Sequence, residues 1–375
     1  EISACLVGSE MCIRDRLILC LLSQVLPLSA QWKHEPTPND TLQSVRVLDK
    51  GDLLMSIYAP EAKKVSVMGD IAMHEATRAE NGVWFATVPG VKDGIYRYWF
   101  VVDGVRVYDP KGALSSETSA LLEVNKGGTD FFAMKDVPHG AMAERYYQSK
   151  TLDTMRRLHV WTPAGYEKMS GKLPVLYLIH GGGDNDNAWP TVGAAGLILD
   201  NLMAEGKMQP MVVVMPNGTI HTESLEGEVP LFAKDLMNDI IPFIEANYPV
   251  LTDKDHRALA GLSMGGLETL EVGLDHYHHF GYLWVLSSGW FATDTDNYAK
   301  KAVYLKKIAA DFNKTVRQLY FTQGGPEDIA YKNGQAMLKL FDAAGIKYEY
   351  SEMPGGHTWY VWRHDLYNMA QQLFK

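Results

Sequence analysis

At 375 residues, 46% hydrophobic and with a net charge of −10, the chain is long enough for two domains, each with its own core, which excludes disordered and collagen-like classes. A pI near 5.6 with no basic block argues against nucleic acid or an anionic membrane as partner and favours a neutral or modestly charged small substrate. All three cysteines, Cys5, Cys12 and Cys20, fall in the first twenty residues, leaving the rest without a disulfide, thiolate metal site or cysteine nucleophile.

Residues 1–16, "EISACLVGSEMCIRDR", resemble a translated sequencing-adaptor read and are expected to carry no fold. In "RLILCLLSQVLPLSAQ", Arg14 and Arg16 precede an apolar run that ends at Ser29-Ala30, the layout of a secretory signal too short to span a bilayer. A secreted or periplasmic protein, free of the membrane once mature, is expected.

Residues 31–130 read as a β-sandwich. Short alternations such as "LLMSIYAP", "KKVSVMGD", "GVWFATVP" and "GIYRYWFVVDGVRVYDP" have period two, and "ENG", "KDG" and "VDGV" supply hairpin turns. Tyr58, Trp84, Tyr96, Tyr98 and Trp99 alternate along these strands, so about half must face a core. A structural or pocket-capping role is expected rather than a glycan-binding surface.

The grammar changes after a linker near 126–138. Residues 138–375 alternate strands ("PVLYLIH", "MVVVMP", "RALAG", "YLWVLS", "QLYFTQ", "KYEYSE") with helices near 190–205, 229–247, 265–276, 298–311, 328–343 and from 359. This pattern predicts an α/β fold with a largely parallel sheet covered on both faces. In the helix at 229–247, Phe232, Leu236, Ile240 and Ile244 form the inward stripe, while Lys234, Asp235, Asp239 and Glu245 are expected to face away.

Ligands of such sheets meet the carboxyl ends of the strands. There, Gly261-Leu262-Ser263-Met264-Gly265 matches the G-x-S-x-G turn that lifts a serine hydroxyl above the sheet. A serine needs a base oriented by a carboxylate. His276, His278 and His279 lie too near Ser263 in sequence, whereas His357 in "EMPGGHTWYVW" follows the last strand on a glycine loop. Asp328, in "QGGPEDIAY", is the expected acid, with Glu327 as the alternative. His180-Gly181-Gly182-Gly183 supplies an oxyanion loop in which the N–H of Gly182 or Gly183 joins that of Met264. No G-K-[ST] follows to make it a phosphate cradle.

"DHYHHF" lacks carboxylate ligands at set spacing and "DNDN" at 184–187 lacks the features of a calcium loop, so no metal and no cofactor are expected. Trp189, Trp290, Trp359 and Trp362 fall in or near strand-end loops. The first three are candidates for substrate contact, against core packing as the alternative.

"DVPHG", "HVWTPAGY", "YLIHGGGDNDNAW", "VVVMPNG", "DLMNDIIPFIEANYPV", "HRALAGLSMGG" and "GGHTWYVWRHDL" together resemble carbohydrate esterase family 1, the feruloyl and acetylxylan esterases. "APEAKKVSVMGD" and "YWFVVDGVRVYDP" resemble the immunoglobulin-like, early-set modules related to family 48 glycan-binding domains. The resemblance implies an α/β-hydrolase with Ser263, Asp328 and His357 in the triad roles. It also implies feruloylated or acetylated xylan and its oligosaccharides as partners. Feruloyl ester hydrolysis is the leading expectation, followed by acetylxylan esterase, siderophore trilactone esterase and an inactive glycan-binding protein.

Overall fold

A computed structural model describes residues 35–48, 51–112, 114–117, 119–124, 130–221 and 225–375. The adaptor-like segment and the secretory signal lie outside these residues. No described helix is long and apolar enough to cross a membrane. The chain divides between Thr41 and Leu42 into two units. In the first, Pro38–Asp40 makes one 3-10 turn, and the Asp40 carboxylate accepts from the Thr37 N–H at 2.7 Å.

The second unit opens with strands β1 (Val45–Val47), β2 (Leu53–Tyr58), β3 (Val65–Gly69), β4 (His74–Glu75), β5 (Thr77–Arg78), β6 (Val83–Val88), β7 (Gly94–Val102), β8 (Val105–Val107), β9 (Leu114–Ser115) and β10 (Ala120–Val124). They form two antiparallel sheets, ordered β1-β2-β6-β5 and β4-β3-β7-β10-β9, with β8 paired to β7. Alternate residues of both sheets, among them Leu53, Met55, Val67, Trp84, Tyr98, Phe100 and Leu122, share one core, so the sheets form a sandwich.

An eight-stranded sheet follows: β11 (Ala141–Ser149), β12 (Thr154–Thr162), β13 (Val175–Ile179), β14 (Val212–Pro216), β15 (Arg257–Leu262), β16 (Tyr282–Leu286), β17 (Gln318–Gln323) and β18 (Glu349–Glu352). Their order is β11-β12-β14-β13-β15-β16-β17-β18. From β14 to β18 every neighbour is parallel, and β13 to β16 are buried along their whole length, as strands covered on both faces must be. The covering helices are α1 (Ala195–Ala204), α2 (Leu225–Asp235), α3 (Ile241–Asn247), α4 (Met264–Asp275), α5 (Thr295–Thr315), α6 (Tyr331–Ala344) and α7 (Trp359–Ala370). A π-helical stretch, Leu236–Ile240, joins α2 to α3.

Two features depart from the sequence reading. The antiparallel hairpin β11–β12 extends the sheet beyond β14. Its edge strand β11 is mostly exposed, so it lacks the apolar run that marks the central strands. That hairpin also corrects the polarity of the helix at 229–247. Phe232, Leu236, Ile240 and Ile244 are buried, but so are Asp235 and Asp239. Asp235 accepts from the Tyr147 hydroxyl at 2.7 Å and pairs with Arg156, while Asp239 accepts from the Thr151 N–H at 2.9 Å. The side expected to face solvent is covered by β11 and the turn that follows it.

Candidate active site

Ser263 stands at the corner between β15 and α4. Its φ of 52° and ψ of −113° are a strained conformation for a residue with a side chain, held because packing on both sides dictates it. A Cβ at Gly261 would lie 2.2 Å from the Gly265 carbonyl oxygen, and one at Gly265 would lie 2.3 Å from that of His180. Glycine at these two positions lets the strand, the turn and the end of β13 approach closely enough to form the bend. The Ser263 N–H donates to Leu286 O at 2.8 Å, and its carbonyl accepts from the Ser288 hydroxyl at 2.6 Å.

The hydroxyl so presented meets a histidine. His357 Nε2 lies 2.8 Å from Ser263 Oγ, and His357 Nδ1 lies 2.8 Å from Asp328 Oδ1. Nδ1 donates to the carboxylate, which leaves Nε2 as the acceptor for the serine proton. Asp328 also accepts from the Ala330 N–H at 2.8 Å and the Gly324 N–H at 3.1 Å. Burial would raise its pKa, but the bonds from His357 and Ala330 outweigh that and hold the carboxyl at about 2. Glu327 instead points outward and accepts from the Gly355 N–H at 3.0 Å, bracing the loop that carries His357.

The glycine loop after β13 lies against the serine: a Cβ at Gly181 would sit 3.3 Å from Ser263 Cβ, and one at Gly182 would sit 3.7 Å from Met264 Cβ. Gly182 and Gly183 are exposed, and the Met264 N–H is the first unpaired donor of α4. Sequence reasoning did not assign His180 a task. Its Nε2 accepts from the Gly218 N–H at 2.9 Å and its Nδ1 donates to Gly181 O at 2.8 Å, so the imidazole fastens the loop. Burial lowers its pKa and keeps it neutral.

Residues 184–187 then carry the loop to the sandwich. Asp184 pairs with Arg97 of β7, and Asn185 donates to Glu117 at 3.0 Å. Asp186 accepts from Arg157 Nε at 2.7 Å, and the same guanidinium reaches Glu117 at 2.9 Å. Nothing in the sequence marks Arg97 or Asp184 for these roles, because each looks like an ordinary solvent-facing charge.

The tryptophans require a correction. Trp189 is buried in the core, where its Nε1 donates to Ile179 O at 3.1 Å and its ring meets Trp359 edge to face. It fills space beneath the loops and has no surface to offer a substrate. Trp290 is almost as buried and borders a cavity of about 670 Å³ with Leu267 and Phe291. Trp359, also largely buried, borders a second cavity of about 420 Å³ with Trp362 and His357. The far wall of that second cavity, including Tyr96 and Arg97, comes from the sandwich.

A buried carboxylate–imidazole–hydroxyl chain beside free N–H donors is an arrangement for acyl transfer from an ester. Among solved structures, a ferulic acid esterase from Anaeromyces mucronatus in complex with ferulic acid matches 68% of this chain and 98% of its own, at a TM-score of 0.57 and 21% identity. The enterobactin esterase of Shigella flexneri matches 89% of this chain and 97% of its own, at a TM-score of 0.64 and 18% identity. At such identities the likeness is one of fold, that of the α/β-hydrolases. A xylanase/feruloyl esterase of Xylanibacter ruminicola is 34% identical over 349 residues, 88% of this chain and 46% of that protein. Endo-1,4-beta-xylanase Y of Acetivibrio thermocellus is 27% identical over 58% of this chain and 22% of its own length, so the chain spans under half of either relative. The family model named Esterase matches residues 149–373, more than half of the chain and inclusive of Ser263, Asp328, His357 and the glycine loop, and the chain therefore belongs to that esterase family.

Proposed function

We propose that the chain is a serine carboxylesterase that releases hydroxycinnamic acids, feruloyl above all, from arabinoxylan. The observation that carries the chemistry is the continuous hydrogen-bonded chain from Asp328 through His357 to Ser263. The choice of acyl group rests on the relative at 34% identity, whose name pairs xylanase with feruloyl esterase.

In this reading His357 Nε2 takes the Ser263 proton as Oγ attacks the ester carbonyl, and Asp328 stabilises the imidazolium that forms. The oxyanion is held by the Met264 N–H and that of Gly182 or Gly183. His357 then gives that proton to the departing sugar oxygen as the C–O bond breaks, leaving the sugar as its alcohol. A water deprotonated by the same nitrogen cleaves the acyl-enzyme and frees the acid. The sandwich is read as an immunoglobulin-like, early-set module that closes one side of the substrate cavity. Secretion follows from the signal-like segment before residue 31, since xylan lies outside the cell.

The test is steady-state hydrolysis of methyl ferulate, acetylated xylan, a small acetyl ester and a catecholate trilactone by wild type and Ser263→Ala. Ferulate release should dominate and fall at least about 10³-fold in the variant, with the fold unchanged. Dominant release from acetyl esters or from the trilactone would replace the acyl assignment. A variant as active as wild type would end the serine mechanism.

A further inference from the structure

The cavity of about 420 Å³ between the sandwich and the α/β layer contains His357 in its wall, so whatever fills it lies beside the reacting hydroxyl. Its charge is unlike that of the chain as a whole. Lys92, Arg97 and Arg363 line it, with Asp70 as the sole carboxylate in the lining. Asp70 is engaged with Arg97, which also holds Asp184. The lining therefore carries three cations against one carboxylate, although the chain has a net charge of −10.

Arg363 is the unusual member. Its side chain is 1% exposed, yet among the described residues no carboxylate forms an ion pair with it. It donates instead to Val192 O at 2.8 Å and Ile95 O at 3.4 Å and lies 4.9 Å from the centre of the Phe132 ring. Its Nε has no acceptor, and the same holds for Nε1 of its neighbours Trp359 and Trp362. Burial lowers its pKa to about 10, so it remains a cation at neutral pH, and the Asp70 and Glu123 carboxylates act on it through space rather than by direct contact. The three nitrogens without acceptors are sealed from solvent, so the cavity is distinguished by its charge: three cations line it against one carboxylate, which favours an anionic ligand over a neutral one.

We propose that this cavity is a subsite for a carboxylate borne by the substrate, a specificity element that the sandwich and α7 build jointly. The proposal rests on the esterase reading of Ser263 and His357. The carboxylate has two possible sources: a uronic acid on the glycan side of the ester, or a second acid group at the far end of the acyl side.

Two pairs of substrates separate these sources. The first is a feruloylated arabinoxylo-oligosaccharide with and without a glucuronate branch. The second is methyl cinnamate with and without a ring carboxylate. Measured as kcat/KM at about 20 mM NaCl, the carboxylated member of one pair should be preferred about tenfold, and that pair identifies the side. At about 200 mM NaCl the preference should shrink several-fold through screening. Lys92→Gln and Arg363→Gln should each reduce it, with melting curves confirming a folded protein. Should Arg363→Gln fail to fold, Lys92→Gln, which alters an exposed side chain, decides alone.

Equal rates within both pairs at low salt, or a preference untouched by Lys92→Gln, overturns the subsite. A carboxylate preference that appears on acetyl esters, with feruloyl esters inert, leaves the subsite standing and overturns the ferulate reading.

Discussion

Asp328 and Glu327 carry the same functional group one residue apart, and the backbone turn gives them different tasks. Asp328 is sealed from water against His357, whereas Glu327 faces solvent and ties down Gly355. Asp328→Asn keeps the shape but removes the charge that stabilises an imidazolium and fixes its tautomer. A fall in kcat of about 10³–10⁴-fold is expected. Glu327→Gln retains an acceptor oxygen for the Gly355 N–H and should change kcat only a few-fold, so comparing the two variants assigns the acid. The lowered pKa of Asp328, about 2, stabilises the fold above the unfolded value near 4, and that contribution is lost as pH falls from about 4 towards 2. Asp365 behaves in the opposite sense. It is buried under the site, accepts from the Thr322 hydroxyl at 2.9 Å, and burial raises its pKa to about 7. The folded state keeps a proton that the unfolded chain releases above about pH 4, so Asp365 draws stability down as pH rises from about 4 to 7 and has no further effect above that. Asp365→Asn should flatten the dependence of Tm on pH in that window, and an unchanged slope would show that Asp365 is already ionised there.

At the scale of elements, what the sequence revealed follows burial. The parallel strands β13 to β17 and the turn around Ser263 were legible because a strand covered on both faces must be apolar, and a bend so tight excludes side chains at Gly261 and Gly265. Hairpin β11–β12 was not legible, because an edge strand with one wet face dilutes its pattern with charges such as Glu144 and Arg145. The same omission turned Asp235 and Asp239 outward on paper, since helical periodicity cannot show that a distant hairpin supplies partners for a carboxylate. Contacts between layers were equally hidden, the Arg97–Asp184 pair above all. That pair joins β7 of the sandwich to the residue directly after Gly181-Gly182-Gly183, and the Asp184 N–H in turn donates to Gly181 O at 3.3 Å. On the proposed mechanism, in which this loop holds the oxyanion, Arg97→Gln should loosen it and lower kcat about 10-fold or more even for a small acetyl ester that does not reach the sandwich. Asp184→Asn should do the same, and the double variant should be no worse than either single one if the residues act as a pair. Full additivity of the two losses would separate their roles.

The whole molecule from Leu42 onward is one compact unit, although its two sheet systems each have a core. The reason lies in what crosses the seam. Ile95 of β7 and Leu121 of β10 belong to the same apolar cluster as Trp161, Leu176 and Trp362 of the α/β layer, and Phe132 lies against the guanidinium of Arg363. Arg363 in turn hydrogen-bonds Ile95 O, so separating the sandwich would expose apolar surface and leave a buried cation with fewer acceptors. Linked domains with small polar interfaces unfold independently, whereas an interface that completes a core couples them. Calorimetry should accordingly record a single endotherm for residues 42–375, with the van't Hoff enthalpy close to the calorimetric one. Leu121→Ala, which removes a buried side chain from the sandwich side of the seam, should cost about 2–4 kcal/mol and lower the midpoint of that one transition. Two resolved endotherms, with only the first moved by Leu121→Ala, would mean that the sandwich folds and melts by itself. The glycine loop after β13 would then survive its loss, and the coupling of β7 to the site would have to be sought in substrate binding alone.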